Sequence, residues 1–156
     1  MDHTVPATVR RATPSDALAL ARLRYAFRAE RSPAVEREDE FVPRCSAWMA
    51  ARLGSDSVWS AWLLDCDGEA SGTVWLQVVD KLPNPGSEPE VHGYITNFYV
   101  RPACRGSGAG SRLLAAALAR CRALGVDSVF LWPTERSVPL YERHGFRRAT
   151  TMLVLE

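Results

Sequence analysis

The chain of 156 residues has almost no lysine and little excess of charge of either sign. Lys81 is its one lysine, the other basic residues are arginine, and the formal net charge is +1. A balanced charge gives no overall field that would attract nucleic acid or an anionic membrane surface, so neither partner is expected. We interpret the richness in arginine and alanine as genomic compositional bias.

Long apolar runs and metal-binding patterns are also missing from the sequence. No apolar segment approaches the roughly 18 residues that a membrane span needs, and the N-terminus has no apolar core of a secretion signal. The four cysteines show neither a CxxC pair nor the spacing of metal ligands, which indicates reduced thiols inside a cell. We therefore expect a cytoplasmic protein with no metal and no membrane segment.

The length indicates one domain with a single core, which would bury about two-thirds of the unfolded surface. Residues 1–7 are polar and are predicted to be a loose segment, followed by one domain over 8–156. We predict strands over 8–11, 57–65, 70–80, 91–101 and 128–132, with one or two closing strands ending at 152–155. Helices are predicted from Thr13 to Phe27, over 39–53, from the glycine-rich turn to 124, and over 137–144. The strand–helix–strand stretch over 91–132 implies one parallel strand pair in a mostly antiparallel sheet.

The most informative segment is a turn between a predicted strand and a predicted helix. It consists of Arg105, Gly106, Ser107, Gly108, Ala109 and Gly110. Three glycines let the backbone approach an anion without an intervening Cβ, and a helix N-terminus offers free N–H groups and a positive dipole end. The arginine adds a positive fork for phosphate oxygens, and the hydroxyls of Ser107 and Ser111 can add hydrogen bonds. The turn therefore predicts a phosphate or pyrophosphate site.

Other interpretations of this turn are weaker. It is not a Walker A loop, because no Gly-Lys-Ser/Thr follows, and its glycine spacing does not fit GxGxxG. A nucleotide-binding protein remains an alternative, although the lysine and the metal-holding acid of that class are missing. The third possibility is that the glycines only let a helix pack closely against the sheet.

Two motifs together resemble the GCN5-related N-acetyltransferase (GNAT) superfamily. Arg105, Gly108 and Gly110 match the Arg/Gln-x-x-Gly-x-Gly/Ala signature of its motif A. About 30 residues later, the segment from Leu140 to Phe146 looks like the LYxxxGF element of the same superfamily. The resemblance covers nearly the whole chain. It implies an α/β fold (an α+β mixed sheet) in a GNAT-like single domain. Its twisted, mostly antiparallel sheet would have one parallel pair split at the cofactor site and helices on its flanks.

The resemblance also implies roles for individual residues. The turn from Arg105 to Gly110 would bind the pyrophosphate of acetyl-CoA, and backbone groups of Phe98 and Val100 would bind the pantetheine arm. The Val100 N–H would polarise the thioester carbonyl, because an unpaired strand N–H is a rigid oxyanion donor. Tyr141 would protonate the leaving thiolate. No metal is implied, and an acyl-enzyme is not expected because no cysteine falls at the thioester.

The sequence departs from the superfamily pattern at two positions. Tyr94 stands where many members carry a glutamate that acts as general base, so the base is left open among Glu90, His92 and a water held near Asn97 or Tyr99. Thr134 stands where many relatives have an asparagine that contacts the pantetheine arm. A threonine at that position could still form a hydrogen bond.

The function implied is transfer of an acetyl group from acetyl-CoA to a primary amine, directly and through a tetrahedral intermediate. The alternative is a non-catalytic module of the same fold that binds or senses acyl-CoA. The acceptor would be a small molecule or a peptide. The acidic stretch Glu36 to Glu40 could attract a cationic amine, although acidic residues also favour a helix start. One or two of the tryptophans could wall the acceptor cleft. A homodimer is possible.

Overall fold

The computed structural model describes residues 6–34, 36–86 and 90–156. Its five strands and four helices follow one another along the chain with three short 3₁₀ turns. In order they are β1 (Thr8–Arg11), α1 (Ala17–Arg31), α2 (Glu38–Arg52), β2 (Trp59–Cys66), β3 (Glu69–Asp80), β4 (Val91–Val100), α3 (Ala109–Ala123), β5 (Ser128–Phe130) and α4 (Val138–Arg143). Of the predicted loose segment 1–7, residues 1–5 lie outside the described residues, as do 87–89 of the predicted loop before β4.

The five strands form one sheet in the order β1-β2-β3-β4-β5. The first three pairings are antiparallel and the last, between β4 and β5, is parallel, which confirms the predicted sheet. The parallel pairing ends where Tyr94 meets Phe130, but β4 continues to Val100. A bulge in β4 lies just beyond that point, where Asn97 has a φ of +51° and the register with β3 shifts. The sheet is therefore split along the second half of β4.

Each face of the sheet packs against a helical layer. Helices α1 and α2 cover one face through a cluster that includes Leu20, Leu23 and Trp75. Helix α3 and the end of the chain around Tyr141 cover the other face, through a cluster that includes Leu113 and Leu114. Because both faces of the sheet are covered, β2 and β3 are buried at five and six consecutive positions rather than at every second one.

Two local signals in the sequence produce the predicted structure. Asp67 and Gly68 both adopt positive φ at the tip of the β2–β3 hairpin, as a two-residue turn of this kind requires. Thr13 and Asp16 form a capping box at the predicted helix start, in which the Thr13 N–H donates to the Asp16 carboxylate at 2.7 Å. That box opens a short 3₁₀ turn, which continues directly into α1.

The predicted closing strand at 152–155 is wrong. The segment forms no strand with any residue that the structure describes, and the Leu153 and Leu155 side chains are 97% and 100% exposed. A strand needs a partner as well as apolar residues. The sheet edge at this end is β5, which has three residues rather than the predicted five, so it offers few backbone groups for pairing. Within the described ranges, no helix combines the length and the hydrophobicity that crossing a membrane requires.

Candidate acetyl-transfer site

A cleft of about 960 Å³ opens where β4 and β5 separate. One wall is formed by α1 and the opposite wall by the segment around α4. The second half of β4 forms the floor, and the turn from Arg105 to Gly110 closes one end. Most of the predicted site residues therefore meet in one place: Phe98, Val100, Arg105, Gly106, Gly108, Ala109, Gly110, Thr134 and Tyr141 all line the cleft.

The glycine-rich turn presents unpaired backbone N–H groups at the end of the cleft. Gly106 and Gly108 have φ values of +85° and +79°, which residues with a Cβ rarely adopt. The first helical hydrogen bond of α3 runs from the Arg112 N–H to the Gly108 carbonyl at 3.1 Å. The N–H groups of Ala109, Gly110 and Ser111 thus precede the helical ladder, and no residue in the described ranges accepts from them. These N–H groups are therefore free to donate to a bound group.

Gly110 has a packing role as well. A Cβ at this position would lie 3.3 Å from the Phe98 ring and 3.6 Å from Leu140. The absence of a side chain lets α3 approach β4 closely, so for this one glycine the packing interpretation holds beside the anion-binding one. Ser107, in contrast, is exposed and donates to the Cys104 carbonyl at 3.3 Å, and it is not among the residues that line the cleft.

The Val100 backbone faces the gap rather than β3. The neighbouring Arg101 N–H donates to the Ser71 carbonyl of β3 at 2.7 Å. Because the backbone groups of successive strand residues point to opposite sides, the N–H and carbonyl of Val100 point away from β3. The Val100 carbonyl accepts from Nε of Arg105 at 2.8 Å, which leaves the N–H facing the cleft.

The Arg105 side chain is held by an ion pair that sequence reasoning missed. Its Nη2 donates to the Glu30 carboxylate at 2.8 Å, and the Tyr99 hydroxyl donates to the same carboxylate at 3.1 Å. The hydrogen bond from Arg105, followed by that from Tyr99, holds the pKa of Glu30 below its usual range. The pair joins the end of α1 to the glycine-rich turn across the mouth of the cleft.

Tyr141 presents its hydroxyl to the cleft from an otherwise buried ring. The residue is only 7% exposed, and its ring packs against Phe98 and Phe146 at centroid distances of 5.9 and 5.6 Å. Burial raises the pKa of Tyr141 to about 12, and no hydrogen bond joins its hydroxyl to the described residues. The phenol therefore stays protonated and has a proton to donate.

The charged side chains that line the cleft are mainly cationic. Its only carboxylate among the described residues is Glu30. Six arginines line it, three on α1 and three on the side of the turn and α4: Arg24, Arg28, Arg31, Arg105, Arg136 and Arg143. The acidic stretch before and within the start of α2 lies elsewhere, with Glu36 paired to Arg44 and Asp39 paired to Arg37. The helix-start interpretation of that stretch therefore accounts for it.

Two of the residues considered as a general base lie outside the cleft. Glu90 and His92 are not among its lining residues, and His92 shares a hydrogen bond of 2.7 Å with the Ser128 hydroxyl. Asn97 and Tyr99 do line it. Among the tryptophans, Trp132 lines the cleft and is 62% exposed, and its contact with an acceptor stays a prediction.

Comparisons with known proteins agree with this geometry. The family model described as Acetyltransferase (GNAT) family matches residues 20–146. The chain belongs to the GNAT acetyltransferase family. Among its relatives in that family is an aminoglycoside N(6')-acetyltransferase type 1 from Stenotrophomonas maltophilia. That protein is 33% identical over 128 residues, which are 78% of this chain and 74% of the relative.

Solved structures show the same GNAT fold. A protein from Clostridium acetobutylicum described as a predicted acetyltransferase, crystallised with acetyl-CoA, superposes with a TM-score of 0.80 at 19% identity, covering 97% of this chain and 96% of that one. A GCN5-related N-acetyltransferase from Ralstonia eutropha superposes with a TM-score of 0.78 at 26% identity, covering 97% and 99%. In this GNAT chain the motif residues from the turn and from α4 face a common cleft.

Proposed function

We propose that this protein transfers an acetyl group from acetyl-CoA to a primary amine by direct attack, through a tetrahedral intermediate. The observation that carries the proposal is the meeting of two features in one cleft. Unpaired N–H groups of the glycine-rich turn lie at one end, and the protonated Tyr141 hydroxyl faces the gap between β4 and β5. The first feature suits a pyrophosphate and the second suits a thiolate leaving group.

The residues of the turn fit the cosubstrate. The N–H groups from Gly106 to Gly110 would bind its pyrophosphate, as the dipole of α3 favours negative charge there. The backbone groups of Phe98 and Val100, which both line the cleft, would pair with the amide groups of the pantetheine arm. Thr134, which begins the 3₁₀ turn before α4 and lines the cleft, would add one hydrogen bond to that arm.

The chemistry then needs an oxyanion donor and an acid. The amine nitrogen attacks the thioester carbonyl, and the Val100 N–H stabilises the charge that develops on the carbonyl oxygen. As the carbon–sulfur bond breaks, Tyr141 donates its proton to the departing thiolate. The amine gives up its own proton to water in the open cleft. Holding both reactants at the split in the sheet supplies much of the acceleration.

A specific observation favours a second candidate, a module that binds or senses acyl-CoA without turnover. Tyr94 replaces the glutamate that many relatives use as a base, and its ring stacks on Phe130 with centroids 5.3 Å apart rather than offering a proton acceptor. The two candidates agree on the binding of acetyl-CoA and differ only in turnover.

The deciding experiment combines calorimetric titration of acetyl-CoA with release of free thiol in the presence of a panel of amines. Binding together with thiol release that depends on the amine supports the transferase. Binding without release on any amine supports the sensing module. ATP and NAD serve as controls for the nucleotide-binding alternative, and failure of acetyl-CoA to bind contradicts both candidates.

The ion pair between Glu30 and Arg105 gives one further prediction. Glutamine in place of Glu30 would free the Arg105 guanidinium and remove a negative charge close to the bound pyrophosphate. Because a half-exposed pair contributes little, we expect the Kd for acetyl-CoA to fall by only about two- to fivefold. Glu36→Gln, which breaks the pair with Arg44 outside the cleft, should leave the Kd unchanged. Weaker binding by Glu30→Gln would show instead that the pair holds the turn in its binding conformation.

A further inference from the structure

The wall of the cleft formed by α1 is positively charged. Arg24, Arg28 and Arg31 are spaced four and three residues apart, which places them on one side of the helix, and all three line the cleft. The carboxylate closest to them in sequence, Glu30, is already engaged by Arg105 on the other side of the cleft mouth. This wall is separate from the glycine-rich turn that receives the pyrophosphate under the proposed function.

Arg24 differs from the ion-paired arginines of this protein. It is half-buried, and burial, followed by the charge of Arg28, lowers its pKa. Its one hydrogen bond is from Nη1 to the Asn97 side-chain oxygen at 3.3 Å, and its guanidinium lies 5.8 Å from the centre of the Phe27 ring. No carboxylate of the described residues lies within 4 Å of it. A charge that is half-buried without a counter-ion is unfavourable until an anion arrives.

The partner of Arg24 places it beside the split in the sheet. Asn97 occupies the bulge of β4, with its φ of +51°, and directly precedes Phe98. A group bound to the Arg24 guanidinium would thus lie next to the backbone that is proposed to hold the thioester end of the cosubstrate.

Aromatic rings line part of the same cleft. Tyr94 stacks on Phe130, and Trp132 lies edge-on to both at centroid distances of 5.5 and 5.8 Å. Tyr94 and Trp132 line the same cleft as Arg24. Such rings offer apolar contact area for the body of an acceptor, while the guanidinium fork matches the two oxygens of a carboxylate or a phosphate.

We propose that the acceptor of this enzyme is a primary amine that carries an anionic group, and that Arg24 binds that group. The inference rests on the proposed acetyl transfer and specifies its substrate class. The proposed substrate class differs from the one in the name of the related aminoglycoside acetyltransferase, because aminoglycosides are polycations. A polycation would have to place its charges against a wall of arginines, and like charges brought together in a cleft repel strongly.

The test compares similar acceptors with and without an anionic group. Phenylalanine is paired with phenylalaninamide and glucosamine 6-phosphate with glucosamine, so that carboxylate and phosphate are examined separately, and kanamycin represents the polycations. We expect kcat/KM for at least one acid to exceed that of its neutral partner by about 10- to 100-fold, which is the size of a charge-assisted hydrogen bond. The effect should appear in KM.

Variants of Arg24 identify the residue responsible. Arg24→Gln should raise the KM for the anionic acceptor by about 10- to 100-fold and leave the Kd for acetyl-CoA unchanged, whereas Arg24→Lys should keep part of the preference. Arg22→Gln is the matched control, because Arg22 lies on the exposed side of α1 and does not line the cleft. Thermal unfolding and acetyl-CoA binding show that each variant is folded.

The N-acetylated products give a readout that does not depend on turnover. With CoA present, N-acetylphenylalanine and N-acetylglucosamine 6-phosphate are titrated against their neutral partners. Tighter binding of an acid, lost in Arg24→Gln, supports the proposal even if none of the amines is acetylated. Equal binding of the paired compounds, a preference that Arg24→Gln leaves intact, or kanamycin as the best acceptor would overturn it. Failure of acetyl-CoA to bind would instead contradict the proposed function.

Discussion

Gly108→Val is expected to abolish useful binding of acetyl-CoA, with a rise in Kd of about 100-fold or more as several hydrogen bonds to phosphate are lost together. Gly108 is the residue before α3, and its φ of +79° is strongly unfavourable for a β-branched side chain. A Cβ there would meet no protein atom within 4 Å, so the fold has room for the side chain. The conflict arises in the cleft, where the valine would occupy the space in front of the unpaired N–H groups.

Backbone strain and blocked binding can be separated with a matched variant. Gly68 in the β2–β3 hairpin has almost the same φ, +81°, and a Cβ added there would likewise meet no protein atom within 4 Å, but it lies outside the cleft. Gly68→Val should lose a similar amount of stability, of the order of 1–2 kcal/mol, and bind acetyl-CoA normally. Calorimetry and thermal unfolding of both variants make the comparison. Normal affinity in Gly108→Val would remove the pyrophosphate assignment.

Tyr141→Phe is expected to leave the binding of acetyl-CoA intact and to lower kcat by about 10- to 100-fold. This loss is at or below the lower end of the usual range for general acid catalysis, because a thiolate leaves readily. The substitution keeps the ring that packs between Phe98 and Phe146 and removes a hydroxyl without a hydrogen-bond partner among the described residues. Stability should therefore change little. Steady-state kinetics of thiol release provide the measurement.

The pH dependence of the rate gives a second test of Tyr141 as the acid that protonates the thiolate. Because burial raises the pKa of Tyr141 to about 12, the hydroxyl stays protonated throughout the neutral and mildly alkaline range. The rate should rise with pH as the amine loses its proton, with no fall caused by ionisation of Tyr141. Tyr25→Phe is the control, because it removes a hydroxyl that donates to the Glu36 carbonyl away from the cleft. A kcat that is unchanged in Tyr141→Phe would mean that solvent protonates the thiolate.

Local signals explain which parts of this fold could be predicted from the sequence. The hairpin at Asp67 and Gly68, the helix start at Thr13 and the glycine-rich turn before α3 each depend on residues that are close together in the chain. The order of strands and helices then implied the parallel pair. The prediction of a closing strand at 152–155 was wrong. Such a strand would have to pair with β5, and the sequence of 152–155 does not show how short β5 is.

The electrostatic arrangement of the cleft could not be predicted in the same way. Glu30 and Arg105 are 75 residues apart, and Arg24 and Asn97 are 73 apart, so neither contact leaves a pattern in a single sequence. In composition, the many arginines suggested only genomic bias. Folding brings six of them to one cleft. Their shared location favours binding of an anion there, which their number alone did not indicate.

The choice of arginine over lysine along the cleft has a chemical consequence for an enzyme that handles an activated acyl group. A lysine beside a bound thioester would itself be a primary amine within reach of the acetyl carbon. A guanidinium keeps its proton at any physiological pH and is not a nucleophile. The lining arginines of this cleft can therefore attract anions without competing for the acetyl group. The one lysine of the chain pairs with Asp127 outside the cleft, so the cationic side chains among the described cleft-lining residues are all arginines.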